Sequence, residues 1–282
     1  MENSLSALIM VVYNHLPSFE SLTLALNSVD YVLLMDNGSS PPVLEAMESF
    51  ASPWNGRCIV LRNGSNLGIS RAYNRAFQIL RDIGVHWIFM ADHDALFSTD
   101  YFRKSRQVWS MASESCSPGV VVPIVADDPS IMGSALGLDR SYSMVSSTIT
   151  SGIMTNMDVI DSVNGFDERF FVEAADIDFT IRIRKSGRDL IRINQVLLVQ
   201  GFGSAYGEQP GSIINFTERL RRKYGYVNLR LGLINNVSSQ GYGYTAERIS
   251  MQDEGNRAVN RTHKRFLNEF IRLYKKYISR WV

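Results

Sequence analysis

Three acidic clusters in this sequence have residue types and spacings suited to chemistry. Asp92-His93-Asp94 directly follows the apolar stretch Trp87–Met90. Carboxylates at i and i+2 after a buried strand both reach one hard cation when the backbone turns there. Such a cation, bridging two phosphate oxygens, would neutralise charge on a departing group. The plainer reading of the same stretch is a helix start, with Asp94 or Ser98 capping a helix announced by Ser98-Thr99-Asp100. The second cluster, Asp36-Asn37-Gly38, closes the apolar run Tyr31–Met35. It is either a capped turn or a place where Asp36 accepts a hydrogen bond from a pyrimidine N3–H. The third runs from Gly165 to Asp178, with Asp167, Glu168, Glu173, Asp176 and Asp178 among aromatic residues. If a helix begins near Asp176, that carboxylate sits where the helix dipole favours negative charge. Beside a bound donor it would take the proton from an attacking hydroxyl, with Glu173 and Asp178 in reserve. The alternative is an acidic first turn in which Arg182 pairs with Asp178 at i,i+4.

These carboxylates need elements that bring them together, and the first half of the chain supplies them. Leu5–Tyr13, Tyr31–Met35, Cys58–Leu61 and Trp87–Met90 read as buried strands. Helical spacing falls between them, over Leu16–Val29, after Pro41-Pro42, and over Gly68–Ile83. This βαβα order predicts a mostly parallel sheet with helices on both faces. Polar residues follow each strand: Asn14, Asp36, Asn63 with Asn66, and Asp92 with Asp94. In such sheets ligands bind beyond the carboxyl ends of the strands. Further on, Val120–Val125 and Leu190–Val199 read as strands, Met157–Val163 and Asp176–Lys185 as helices, and the chain becomes helical and basic from about Ser212.

Composition removes other classes. The net charge is +1, which gives no footprint for nucleic acid. Two cysteines form no disulfide framework and fit a reducing, cytoplasmic setting. No stretch reaches the ~18 apolar residues of a membrane span, and Leu5–Val12 has neither the basic flank nor the cleavage site of a signal peptide. There is no glycine-rich dinucleotide turn, P-loop or nucleophile elbow. The four histidines are too scattered for an ordinary zinc site.

Taken in order, these segments resemble the family-2 inverting glycosyltransferases of GT-A fold, and among them the rhamnosyltransferase-like enzymes of bacterial surface polysaccharide synthesis. The resemblance rests on Val11-Val12-Tyr13-Asn14, Leu34-Met35-Asp36-Asn37-Gly38-Ser39, the run from Asn66-Leu67-Gly68 to Asn74, Asp92-His93-Asp94, Ser151-Gly152, Gly165-Phe166-Asp167-Glu168 and Asp176-Ile177-Asp178. It covers about residues 5–205. It implies a Rossmann-like GT-A catalytic domain over 1–205, with a nucleotide-sugar half to about 95 and an acceptor half to about 205, followed by a helical, basic extension over 206–282. It further implies transfer from a UDP- or dTDP-sugar to a hydroxyl of a glycan or lipid-linked glycan, in O-antigen or capsule synthesis. By position, Asp176 would be the base. Asn14, Asp36, Asn66, Gly68, Asn74 and Asp92 would bind the donor. Asp94 with Asp92 would hold Mg²⁺ or Mn²⁺, and Gly152, Glu173 and Asp178 would lie on the acceptor side. The chain departs from the family at one place: where a histidine often follows the strand near Leu197–Val199 as a further metal ligand, this chain has Gln200.

Two other functions are weighed against this one. A catalytically inactive nucleotide-sugar-binding or scaffold subunit would have no need of both Asp94 and Asp176. A magnesium-dependent nucleotidyl or phosphoryl transferase would need further converging carboxylates. Residues 263–282 have apolar side chains at i, i+3, i+4 and i+7, with Lys264, Arg265, Arg272, Lys275, Lys276 and Arg280 opposite. Such a helix either packs on the catalytic domain or a second copy, or lies at the inner face of the plasma membrane.

Overall fold

The computed structural model describes residues 4–126, 128–135, 140–172 and 175–200. The expected extension over 206–282, its helix at 263–282 and Glu173 lie outside the described residues.

Four parallel strands open the chain: β1 (Ser6–Val12), β2 (Tyr31–Asp36), β3 (Cys58–Arg62) and β4 (Trp87–Asp92). Helices α1 (Phe19–Leu26), α2 (Pro41–Ala51) and α3 (Ile69–Asp82) connect them. Then come a short β5 (Leu96–Phe97), α4 (Tyr101–Ser113), β6 (Pro118–Ala126), β7 (Tyr142–Val145), β8 (Ile153–Asn156), α5 (Met157–Ser162), α6 (Ala175–Lys185) and β9 (Asp189–Val199). The nine strands form one sheet in the order β3-β2-β1-β4-β8-β6-β9-β5, with β7 also on β9. β6 and β9 pair in parallel, whereas β8 runs antiparallel between β4 and β6, and β5 and β7 run antiparallel to β9. The mostly parallel α/β sheet expected from the sequence is therefore present, joined across β8 to a mixed half.

Burial explains the legible strands. Leu8, Ile9 and Met10 of β1, Leu33, Leu34 and Met35 of β2, and Ile88, Phe89 and Met90 of β4 are wholly buried. Strands covered on both faces read as unbroken apolar runs. Two expectations need correction. The first helix spans Phe19–Leu26 and not Leu16–Val29, because the Ser18 hydroxyl accepts from the Ser21 amide at 3.2 Å and sets the start after Pro17. The helix after Asp92 starts at Tyr101, and Ser98-Thr99-Asp100 leads into it as expected, but Asp94 is too far upstream to cap it. Strands β5, β7 and β8 were not legible. β8 is only four residues long, and its Thr155 spends its hydroxyl on the Gly119 carbonyl at 2.7 Å.

Candidate functional site

Sheet register sets the distances between the first acids. β1 lies between β2 and β4, with Val12 opposite Asp36 and Val11 opposite Asp92. The two carboxylates therefore flank the carboxyl end of the central strand.

On the β2 side, Asp36 is 3% exposed, and its Oδ1 accepts from the Ser39 amide at 2.9 Å. Its neighbour Asn37 is the hub of an amide network. Its Nδ2 donates to Asn66 Oδ1 at 2.8 Å, and its Oδ1 accepts from Asn63 Nδ2 and from the Leu67 amide, both at 3.1 Å. Asn66 Oδ1 also accepts from the Gly68 amide at 3.0 Å. The loop entering α3 is thus fastened to the end of β2. Asn14, at φ +53°, ties the β1 loop to the same region: its Oδ1 accepts from the Ser40 amide at 2.8 Å and its own amide donates to Ser39 Oγ at 3.0 Å. The structure places Asn14 and Asn66 in the loops beyond the carboxyl ends of β1 and β3, with their side-chain oxygens engaged in holding those loops together.

On the β4 side the turn 92–95 is closed by the Ala95 amide donating to the Asp92 carbonyl at 3.1 Å. The Asp92 amide donates to Ser151 Oγ at 3.1 Å, and Asp92 Oδ2 accepts from Gln200 Nε2 at 3.3 Å. Burial, and then the nearby charges of Asp94 and Asp176, push the Asp92 carboxyl up to about 7, against the opposing hydrogen bond from Gln200. This brings Asp176, in the first turn of α6, into the electrostatic neighbourhood of the Asp92–Asp94 turn from 82 residues further along the chain, since 176 − 94 = 82. Tyr73 lies beneath, fully buried, its hydroxyl 3.4 Å from the Ala91 carbonyl. His93 faces His15 with ring centroids 5.1 Å apart and is hydrogen-bonded to the Val11 backbone, and burial lowers its proton affinity.

The segment after Gly165 is clasped onto α3. Asn74 Nδ2 donates to the Phe166 carbonyl at 2.9 Å, and Asn74 Oδ1 accepts the Phe166 amide at 2.8 Å. Ser70 Oγ donates to the Phe170 carbonyl and the Ile69 amide to the Phe171 carbonyl, both at 2.6 Å. Gly68, at φ +82°, permits this approach, because a Cβ there would stand 2.5 Å from the Phe171 oxygen. The Phe166 ring stacks on Phe179 of α6 at 4.2 Å and on Tyr73 of α3 at 5.2 Å. Asn74 and Gly68 therefore join the two halves of the domain. Gly152 is also packed against protein: it donates to the Met90 carbonyl at 2.8 Å, and a Cβ would meet the Pro123 ring at 2.9 Å. Asp178 is paired with Arg182, Nε to Oδ2 at 2.8 Å, as the i,i+4 reading expected.

Sequence reasoning missed Asn37 as the hub, Ser151 as the support of Asp92, and the Phe166 column. Only the amide-rich composition near residues 63–74 hinted at the first.

Among the described residues no group of three or more His, Cys, Asp or Glu side chains is placed to hold a metal ion. The donors that are present fit an open site. Asp92 and Asp94 share one turn, and the buried Oε1 of Gln200 beside them has no hydrogen-bond partner. Magnesium is commonly held this way, by one or two carboxylates together with substrate phosphates.

Residues 7–111 match the glycosyl transferase family 2 profile, which takes in the chain from β1 to α4 with Asp36, Asn66, Asp92 and Asp94. No curated protein sequence matches the chain. Among solved structures it is similar to GalNAc-T7 with UDP, GalNAc and Mn²⁺, at 13% identity and a TM-score of 0.59, covering 99% of this chain and 59% of that one. It is also similar to residues 1–349 of TarS from S. aureus, at 12% identity, covering 97% of this chain and 72% of that one. The TM-score is 0.51 for TarS alone and 0.54 for its UDP complex. The chain thus spans under two thirds of the length of the first of these. These likenesses establish the GT-A fold, and residues 7–111 within it match the glycosyl transferase family 2 profile.

Proposed function

We propose that this chain is an inverting glycosyltransferase that moves a sugar from a UDP- or dTDP-sugar to an acceptor hydroxyl. The convergence of Asp92, Asp94 and Asp176 at one end of the sheet carries the reading. The charges of Asp94 and of Asp176, the latter from a distant segment, both act on the buried Asp92 carboxyl, a cost that a purely structural site would avoid. UDP in two of the similar structures, and Mn²⁺ in one, support the same class of donor.

Asp36, buried at the end of β2, accepts the pyrimidine N3–H and so serves uracil and thymine alike. The amide network around Asn37 holds the loop 63–68 against the nucleotide. Asp92 and Asp94 would hold Mg²⁺ or Mn²⁺, and that ion would neutralise the charge developing on the nucleoside diphosphate. Asp176 accepts the proton of the acceptor hydroxyl as its oxygen bonds to the anomeric carbon. The bond from that carbon to the diphosphate oxygen breaks on the opposite face, so one displacement inverts the configuration. The proton ends on the Asp176 carboxyl and the electron pair on the nucleoside diphosphate.

The acceptor is a glycan or lipid-linked glycan of bacterial surface polysaccharide synthesis, and the transferred sugar a hexose or rhamnose. Among the described residues no helix is long and apolar enough to cross a membrane; on this reading residues 263–282 bring the enzyme to the inner face of the membrane. A screen of nucleotide sugars with and without Mn²⁺ tests the class. Release of UDP or dTDP from one donor, lost in Asp176→Asn, supports the enzyme. Binding without turnover by any donor, with or without acceptor extracts, would instead identify an inactive sugar-nucleotide-binding subunit.

A further inference from the structure

Gln200 is a buried polar residue at this end of the sheet. It directly follows β9, whose last residue Val199 pairs with Ala126 of β6 on one side and with Leu96 of β5 on the other. Its own amide donates to the Ala126 carbonyl at 2.9 Å. The backbone is therefore fixed, and the side chain, 7% exposed, points at the Asp92 carboxylate. Its Nε2 donates to Asp92 Oδ2 over a long 3.3 Å, and its Oε1 is buried with no hydrogen-bond partner.

A buried amide with one end unsatisfied is unfavourable and demands a cause. Support of Asp92 alone does not supply one, since Ser151 already fixes the Asp92 backbone and an amide uses only half its capacity on one carboxylate. The two ends of the amide have nearly the same size, so a half-turn about the terminal torsion exchanges them. Without a cation, the turned form sets two acceptors face to face. With a cation against Asp92, it adds a second oxygen donor to the same ion.

Resting on the reading of Asp92 and Asp94 as cation-holding residues, we propose that the Gln200 amide oxygen is a direct ligand of the divalent ion, which makes this site one of oxygen donors alone and tunes it toward Mg²⁺. Carboxylate and amide oxygens suit magnesium, calcium and manganese, whereas an imidazole at the same place adds a donor suited to zinc, copper and nickel. An amide oxygen at this place therefore sets which ion the site prefers, with no movement of the backbone required.

Metal binding by the full chain reads this directly, with no turnover involved. Mn²⁺ is titrated and followed by electron paramagnetic resonance, then displaced with Mg²⁺. Gln200→Leu should weaken both ions about tenfold or more. Gln200→Glu keeps the shape and the oxygen and should bind at least as tightly as the wild type. Gln200→His should raise the preference for Mn²⁺ over Mg²⁺ about tenfold. Asp94→Asn tests the underlying reading. If Asp94→Asn loses the ion while the Leu and His variants keep both affinities and their ratio, Gln200 is only a hydrogen-bond partner of Asp92 and the proposal is overturned with the cation reading intact. If the wild type takes up no Mn²⁺, the cation reading itself fails and the proposal falls with it. Circular dichroism melts establish that each variant is folded. Should Gln200→Leu not fold, the ratio measured in Gln200→His and the affinity of Gln200→Glu decide the matter.

Discussion

Asp92→Asn should make the ion-free protein more stable at alkaline pH and leave it unchanged in acid. Asp92 is crowded by protein and by the charges of Asp94 and Asp176, and its carboxyl is pushed up to about 7. A folded-state value above the unfolded one means the folded protein holds the proton more tightly. Stability from this group is therefore complete below the unfolded value, near 3.9, and is lost as pH rises through about 7. The full linkage for such a rise is about 4 kcal/mol. Asp92 is only partly buried, and the water that reaches it screens the charges, so about 2 kcal/mol is the expected loss. Most of it falls between about pH 4 and 7. The asparagine variant has no carboxyl to ionise and keeps an oxygen for Gln200 Nε2, so its stability should lack this component. Urea midpoints of both proteins in EDTA, measured at half-unit steps from pH 3.5 to 8.5, give the difference directly. The curves should meet below about pH 4, separate between about pH 4 and 7, and run parallel above about 7.5 with the variant the more stable. Curves that stay parallel across the whole range would show that folded Asp92 ionises as readily as in the unfolded chain, and the account of its burial would be wrong.

Asp176→Asn should lower transfer ~10²–10⁴-fold with donor binding retained; loss of donor affinity at unchanged turnover would place Asp176 in the donor site. Asp36→Ala should weaken UDP and dTDP by similar factors, about tenfold each, by calorimetry, since one buried hydrogen bond of about 1.4 kcal/mol is lost. Equal affinity before and after would leave Asp36 as turn chemistry through its bond to Ser39. Asn74→Ala strands the amide and carbonyl of Phe166, which is 2% exposed, and should cost about 2 kcal/mol in urea melts; a change under about 0.5 kcal/mol would mean the clasp is dispensable. Removal of residues 263–282 should abolish salt-sensitive sedimentation with anionic vesicles while transfer to a soluble acceptor remains. An intact chain that ignores such vesicles ends the membrane reading.

Legibility in the sequence followed burial and locality. Strands β1, β2 and β4 announced themselves because both faces are covered and their residues are apolar throughout. The motifs at their ends were visible because each is a run of a few residues. β8 and β5 were not, since a short antiparallel strand takes its identity from partners far away, Met90 and Val199 among them. The same holds within the site. Asp36, Asp92 and Asp94 follow strands and could be found from position alone. The clasp between Asn74 and Phe166 spans 92 residues and has no local signature.

That clasp bears on how the two halves of the chemistry stay in register. The carboxylates of β2 and β4 are positioned by one rigid sheet, since β1 pairs with both strands along its whole length. Asp176 lies on a helix that packs against β6 and β9, in the other half of that sheet. That helix, α6, meets the first half of the domain through the Phe166 ring, stacked at 4.2 Å on Phe179 of α6 and at 5.2 Å on Tyr73 of α3. Tyr73 in turn reaches the Ala91 carbonyl, one residue before Asp92. A continuous run of packed rings thus links α6, which carries Asp176, to the Asp92–Asp94 turn, and the Asn74 amide fixes the backbone that presents the middle ring. Offset aromatic contacts of this kind contribute about 0.5–1.5 kcal/mol each beyond burial, enough to define one position for α6. On the proposed reading, transfer needs the acceptor oxygen and the anomeric carbon held about 3–3.5 Å apart, and a misplacement of about 1 Å is costly. Asn74, Phe166 and Tyr73 would then contribute to that precision without touching the reacting atoms.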